Sequence, residues 1–236
     1  METLKSGAAK IGIQLTPEQL NAFETYFREL TDWNRKVNLT SITGYQEVQL
    51  KHFLDSLTAA AAYRFSGPLR VIDVGTGGGL PGLPLKIAFP GLRLTLLEAT
   101  ARKTKFLEYL VSRLGVNGVE IVTGRAEEIA HFSQYREKYD VAVSRAVAPL
   151  PALVELTLPF CRLGGALIAY KKGDIQAELQ NSDGAIEAMG GKLKEIKAVS
   201  RDLFDDNRCL VIIEKIEATQ EKYPRRPGIP EKRPVL

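Results

Sequence analysis

Between Val71 and Leu85 the chain reads VIDVGTGGGLPGLPL, an apolar, β-branched run that ends in an acid and opens into four glycines over the five positions Gly75–Gly79. Glycine loses more conformational freedom on ordering than any other residue, so this density signals a backbone that something must approach closely. Gly77-x-Gly79-x-x-Gly82 matches the dinucleotide-binding spacing, but the pattern alone identifies a ligand loop and not its ligand. The neighbours discriminate. Asp73 stands two positions before the glycines, where a carboxylate repels a pyrophosphate, and more strongly as water is excluded. Pro81 and Pro84 remove amide hydrogens that a phosphate would need. S-adenosylmethionine carries no phosphate, and its ammonium and sulfonium are cations. An acid beside the loop suits it, acting directly or through the loop backbone or a water.

A second acid, Glu98, ends the next expected strand, 25 positions after Asp73. A carboxylate there can accept both ribose hydroxyls of a nucleoside, as in nicotinamide enzymes, so Glu98 indicates a nucleoside without choosing one. After the third expected strand, GRAEEI places Ala126 and Glu127 to meet an adenine edge by backbone and side chain; a plain surface helix start is the competing reading of Glu127. No feature supports hydride transfer. Asp73, the loop glycines Gly75, Gly77 and Gly79, and Glu98 together favour a class I S-adenosylmethionine-dependent methyltransferase.

These residues need a scaffold. Residues 16–64 read as helical: TPEQ at Thr16–Gln19 supplies an N-cap, a first-turn proline and a capping-box glutamine. Leu20, Phe23, Phe27, Leu30, Trp33 and Val37 then follow at steps of three or four. A second helix is expected over Gln46–Tyr63, ending before Gly67-Pro68. Beyond it, strands are expected at Leu69–Val74, Arg93–Glu98, Val119–Thr123, Tyr139–Ser144, Ala166–Tyr170, Lys194–Val199 and Cys209–Lys215. Helices are expected at Gly82–Ala88, Ala101–Leu114, Ala126–Ala130, Leu150–Phe160 and Ile175–Met189. Alternation of this kind predicts an α/β, Rossmann-like, seven-stranded and mostly parallel sheet with an N-terminal helical extension. The short connection SRDLFDDNR makes the last two strands an antiparallel edge hairpin. The expected division is a helical extension over residues 1–66, a core over 67–221 and a basic tail over 222–236, in one structural unit.

The chain has 236 residues, 44% hydrophobic and 25% charged, enough for one domain with an appendage. No apolar run approaches the roughly 20 residues of a membrane span, and no signal peptide is evident, so a cytoplasmic location is expected. Two cysteines and two histidines are too few for a disulfide framework or a structural zinc site; no metal is expected, and Cys161 and Cys209 read as buried thiols. Net charge is +4, all of it held by Lys222, Arg225, Arg226, Lys232 and Arg233 against Glu231. Prolines at 224, 227, 230 and 234 should keep that tail extended and free of helix. It can follow a phosphate backbone or lie back as a strap through Tyr223 and Val235-Leu236; its charge favours the first.

The chain resembles the bacterial 16S ribosomal RNA guanine-N7 methyltransferases, also called ribosomal RNA small subunit methyltransferase G or glucose-inhibited division protein B. The likeness spans nearly the whole sequence. It rests on WNRKVNLTSIT (Trp33–Thr43), HFLDSL (His52–Leu57), DVGTGGGLPGLPL (Asp73–Leu85), TLLEATARKTKFL (Thr95–Leu107), GRAEEI (Gly124–Ile129), SRAVAPL (Ser144–Leu150), YKKG (Tyr170–Gly173) and YPRRPGIPEKRPVL (Tyr223–Leu236). The resemblance implies cofactor contacts at Gly75, Leu80, Ala126, Glu127 and Arg145. It implies as substrate a guanine in a decoding-region loop of 16S rRNA, methylated at N7, whether in free rRNA or a 30S particle.

Guanine N7 has a lone pair and no proton to lose, so an in-line displacement needs no general base and no catalytic residue is assigned. The absence of an (N/D)PP(Y/F) motif and of a proline-cysteine nucleophile agrees with this. Arg145 is expected to touch the target by cation–π stacking or hydrogen bonding to O6; a salt bridge to Asp73 or Glu127 is its alternative role. Lys171, Lys172, Arg201, Arg208, Arg225, Arg226, Lys232 and Arg233 are the other candidate rRNA contacts. Asn34 and Asn38, four apart, are expected to share a helix face as structural links. His52 reads as a satisfied histidine at a junction, with Asp55 a possible partner. The competing functions are a small-molecule methyltransferase and a non-catalytic RNA-binding protein on the same fold.

Overall fold

The computed structural model describes residues 1–235. Its sheet comprises β1 (Arg70–Val74), β2 (Arg93–Glu98), β3 (Val119–Thr123), β4 (Tyr139–Arg145), β5 (Cys161–Lys172), β6 (Gly191–Ala198) and β7 (Arg208–Lys215). The spatial order is β3-β2-β1-β4-β5-β7-β6. The first five strands run parallel, and β7 lies antiparallel between β5 and β6. The expected edge hairpin is therefore present. Strand order reverses between β1 and β4, so their carboxyl ends diverge into a crevice, the place where open α/β sheets hold ligands.

Alternation along β1 splits the core. Val71 joins one apolar cluster and Ile72 and Val74 the other, as period-two side chains must. The first cluster lies under the N-terminal helices and the helices Gly82–Ala88 and Ala101–Leu114; the second lies under Leu150–Thr157 and the C-terminal segment. Asp73 shares the side of Val71 and so sits buried beneath the start of Gly82–Ala88.

The helix Pro17–Asn34 has the full capping box expected of TPEQ. Phe23, Tyr26 and Leu30 are fully buried, and Phe23 and Tyr26 each pack 5.0 Å from Phe53. Burying such side chains stabilises by about 1.5–3 kcal/mol each. Tyr26 also donates a 2.6 Å hydrogen bond to the carbonyl of Gly78, tying this helix to the glycine loop.

Several expectations require correction. Glu2–Lys10 is helical, which the pattern around Gly7 concealed; a Cβ on Gly7 would lie 2.3 Å from Leu54, so close approach of two helices sets that residue. The helix expected over Gln46–Tyr63 is broken into Tyr45–Val48, a π-helical turn Gln49–Leu54, a turn Asp55–Leu57 and a 3₁₀ turn Thr58–Ala61. Ile175–Met189 divides into Gln176–Gln180 and Asp183–Ala188. Helix Pro17–Asn34 ends at Asn34, so Asn38 lies in the following loop and shares no helix face with it. The tail is not free of helix: Ile229–Lys232 forms one turn with Pro230 inside its first turn, where proline is tolerated. Tyr223 and Val235 pack against the second cluster; Leu236 lies outside the described residues. Both cysteines are buried, and burial pushes the Cys161 thiol up to about 12.

Candidate active site

The loop after β1 accounts for nearly all its own amides. Gly75 and Thr76 donate to the Leu97 carbonyl at 2.9 and 3.1 Å, and Gly79 and Leu80 to the Thr76 carbonyl at 2.9 Å each. Gly77 donates to Glu98 Oε2 at 3.0 Å and Gly82 to Asp73 Oδ2 at 2.7 Å. A phosphate cradle aims such amides at its ligand; here they point into the protein, and two carboxylates stand behind them. This is the geometry for a cation, not a pyrophosphate.

Asp73 is fully buried. Its Oδ2 also accepts from the Thr76 hydroxyl at 2.6 Å, while Oδ1 is buried with no hydrogen-bond partner among the described residues. Burial raises its carboxyl to about 7, against the opposing hydrogen bonds from Thr76 and Gly82 and the charge of Arg145. Glu98 gives Oε1 to the Thr100 amide at 2.9 Å, so both oxygens of the expected ribose ligand brace backbone. Gly77 has φ +58°, and a Cβ there would meet no atom within 4 Å; the loop faces open space at that point. An orphaned buried acceptor beneath a loop with room in front fits a ligand bearing positive charge, as S-adenosylmethionine does.

That space is a cleft of about 670 Å³ bordered by the loop, the ends of β4 and β5, and the segment after Asn34. Arg145 ends β4, and Ala146 beside it holds φ +56°, an uncommon conformation for a residue with a Cβ and one that recurs at functional sites. Arg145 Nη1 donates 2.6 Å to Asp55 Oδ2 and 3.3 Å to the carbonyls of Lys51 and His52. Those carbonyls belong to the π-helical turn, a rare geometry that is frequent at functional sites. Arg208 Nη1 reaches the other Asp55 oxygen at 2.6 Å and its guanidinium lies 4.4 Å over Phe204. Arg145 therefore pairs with Asp55, not with Asp73 or Glu127.

His52 lies between these groups. Its Nε2 is 2.7 Å from Thr40 Oγ1, and its Nδ1 is 3.2 Å from the Lys51 carbonyl and 3.5 Å from Arg145 Nη2. Burial and the Arg145 charge lower it to about 4, so the ring is neutral at neutral pH. Thr40 is held in turn by Asn34, whose Oδ1 accepts from the amides of Leu39 and Thr40 and whose Nδ2 donates to the Thr40 carbonyl.

Of the sequence-derived candidates, the cleft brings together Gly75, Gly77, Leu80, Arg145, Lys171, Lys172 and Arg208. Lys171 donates to Glu178 at 2.6 Å and to the Ala148 carbonyl at 3.0 Å. Arg201 lies on the β6–β7 connection, 2.9 Å from Asn207 Oδ1. Ala126 begins a short turn whose Glu127 is bonded to Arg125 and to the tail amide of Gly228. Arg225 is engaged with Glu155, while Arg226, Lys232 and Arg233 are exposed. Sequence reasoning missed Thr40, Lys51, Lys103 and Glu178 in the cleft. The Asn34–Thr40 spacing within WNRKVNLTSIT was the available signal for the first. Among the described residues there is no group of three or more His, Cys, Asp or Glu that could hold a metal, and no helix is long and apolar enough to cross a membrane.

A reversed strand order with a glycine loop over two acids at its switch point defines the class I S-adenosylmethionine-dependent methyltransferase fold. Solved structures share it at low identity. MtNAS in complex with S-adenosylmethionine is 20% identical, with a TM-score of 0.57 over 81% of this chain and 73% of that one. A precorrin-6y C5,15-methyltransferase from Geobacter metallireducens is 15% identical, with a TM-score of 0.52 over 77% and 92%.

Residues 19–209 match the family GidB, rRNA small subunit methyltransferase G. The chain is 48% identical to ribosomal RNA small subunit methyltransferase G of Dehalococcoides mccartyi over the full length of both. It is 42% identical to the protein of that name from Bacillus cytotoxicus over 100% of this chain and 98% of the other. The chain belongs to the rRNA small subunit methyltransferase G family, whose members are S-adenosylmethionine-dependent methyltransferases.

Proposed function

We propose that this protein methylates 16S rRNA at N7 of a guanine in a decoding-region loop, in free rRNA or a 30S particle. The observation that carries the N7 assignment is the state of every plausible base in the cleft. Asp55 is bound by two arginines, Glu178 by Lys171 and the Leu150 amide, and His52 is neutral with Thr40 against one nitrogen. A nucleophile that must lose a proton would want one of them free. Guanine N7 loses none.

When bound, S-adenosylmethionine supplies an electrophilic methyl group on a sulfonium. Asp73 and Glu98 hold the loop that receives it and place negative charge beneath that loop. Ala126 and Glu127 meet the adenosine end, with Gly75, Gly77, Gly79 and Leu80 along its length. Arg145 orients the target base: Nη1 is fixed by Asp55, and Nη2 and Nε keep donors for guanine O6 or a guanidinium face for stacking. Arg208 is fixed by the same carboxylate. Lys51, Lys103, Lys171 and Lys172 border the cleft and meet phosphates, which supply affinity while unstacked loop bases supply specificity. Leu39 and Ile42 exclude water from the approach. Holding nucleophile, methyl and sulfur in line is the main catalytic contribution of such a site.

The test is mass spectrometry of 16S rRNA fragments from cells with and without the protein. Loss of one methyl on one guanine supports the assignment. An unchanged modification pattern overturns it, and loss of a methyl on an exocyclic amine or a pyrimidine carbon overturns the N7 mechanism.

A further inference from the structure

The turn Ala126–Ile129 and the C-terminal segment grip each other through polar atoms. Glu127 is 3% exposed, and its Oε1 accepts 2.9 Å bonds from the Gly228 amide and from Arg125 Nη2. Against the cost of burial, those two bonds hold the Glu127 carboxyl below its ordinary value. Three residues earlier, Arg225 closes on Glu155, a carboxylate with no exposure. The Arg225 amide reaches Oε1 at 2.7 Å, Nε lies 3.0 and 3.1 Å from the two oxygens, and Nη2 reaches Oε2 at 2.6 Å. Gly228 takes φ +79°, a left-handed turn that presents its N–H to Glu127. His131 Nε2 lies 2.9 Å from the Pro224 carbonyl, and Arg136 donates to the carbonyls of Tyr223, Thr219 and Gln220.

A strap needs none of this. Tyr223 and Val235 already give it apolar contact with the core, and a buried ion pair generally stabilises no better than apolar residues of similar volume. What the pair provides is register: it fixes where Gly228 arrives. We propose that the C-terminal segment is a positioning element for the adenosine end of the cofactor site, with Arg225 and Glu155 setting the register and Gly228 holding Glu127 in place. This rests on the reading of Ala126 and Glu127 as adenosine contacts.

The test replaces the register anchor with an apolar pair, Glu155→Leu with Arg225→Met, in the full chain. Folding should survive, because no unpaired charge is left behind. The expected result is a rise of about tenfold in Kd for both S-adenosylmethionine and 5′-methylthioadenosine by calorimetry, with KM for the cofactor rising and kcat at saturation within about twofold. Arg225→Lys keeps the charge but not the fork; it should weaken both ligands by a smaller factor, about threefold, and serves if the double variant does not fold. Unchanged affinity for both ligands in a folded variant overturns the proposal. Glu127→Gln separates the two claims: if it leaves adenosine-ligand affinity intact, the underlying site assignment fails. If it weakens binding while the anchor variants do not, the assignment stands and the tail's role falls.

Discussion

Replacing Asp73 by asparagine should change the pH dependence of stability in a defined direction. Burial raises the Asp73 carboxyl from an ordinary 3.8 to about 7 in the folded protein, while the unfolded chain keeps the ordinary value. Between those two values the folded state holds a proton that the unfolded state has released. Stability contributed by Asp73 is thus complete below about pH 4 and falls as pH rises to 7, by up to about 1.4 kcal/mol per pH unit. The full cost is on the order of 4 kcal/mol, and about 2–3 kcal/mol of it falls between pH 5 and pH 7. Asparagine keeps an oxygen for the Thr76 and Gly82 donors but places an amide where Oδ1 has no partner. That penalty, about 1–3 kcal/mol, does not vary with pH. Urea denaturation at pH 5, 6, 7 and 8 should therefore show the wild type losing ground steadily to Asp73→Asn up to pH 7, then running parallel to it. Saturating S-adenosylmethionine should shrink this trend, because a cationic ligand favours the ionised carboxylate. A constant difference from pH 5 to pH 8 without ligand would refute the reasoning.

His52→Ala should leave methyl transfer within about tenfold of wild type, since loss of a true general base costs about 10²–10⁴; single-turnover rates on folded protein decide it. Asp55→Asn removes the carboxylate shared by Arg145 and Arg208 and should destabilise by about 3 kcal/mol. It should also raise KM for rRNA well above any change in KM for the cofactor, read by urea titration and steady-state kinetics. Glu98→Ala frees the amides of Gly77 and Thr100 and should weaken cofactor binding by about 1.5–3 kcal/mol in calorimetry.

The β-strands and their order of appearance were legible because buried parallel strands are short, apolar and punctuated by glycine and proline. The Thr16 capping box was legible for a local reason, since every atom it uses lies within four residues. Asp73 and Glu98 could be placed from spacing, but their action through loop amides could not, because those bonds span 9 residues (Asp73–Gly82) and 21 residues (Gly77–Glu98). The break at Gln49–Leu54 escaped notice because an apolar helical stripe does not report one extra residue in a turn. The tail's charge pointed to RNA, yet the partner of Arg225 is Glu155, 70 residues away. Composition cannot distinguish an arginine aimed at solvent from one that enters the core, and Arg225 and Arg226 do one of each.

The most direct test of the central claim is transfer of a labelled methyl group from S-adenosylmethionine to purified 16S rRNA and 30S particles, followed by nucleoside digestion and mass spectrometry. The label should appear as 7-methylguanosine at a single decoding-region position in at least one of the two substrates, and should vanish with the Asp55→Asn protein at limiting rRNA. Label in any other nucleoside, or none in either substrate with protein that binds the cofactor, would contradict the account.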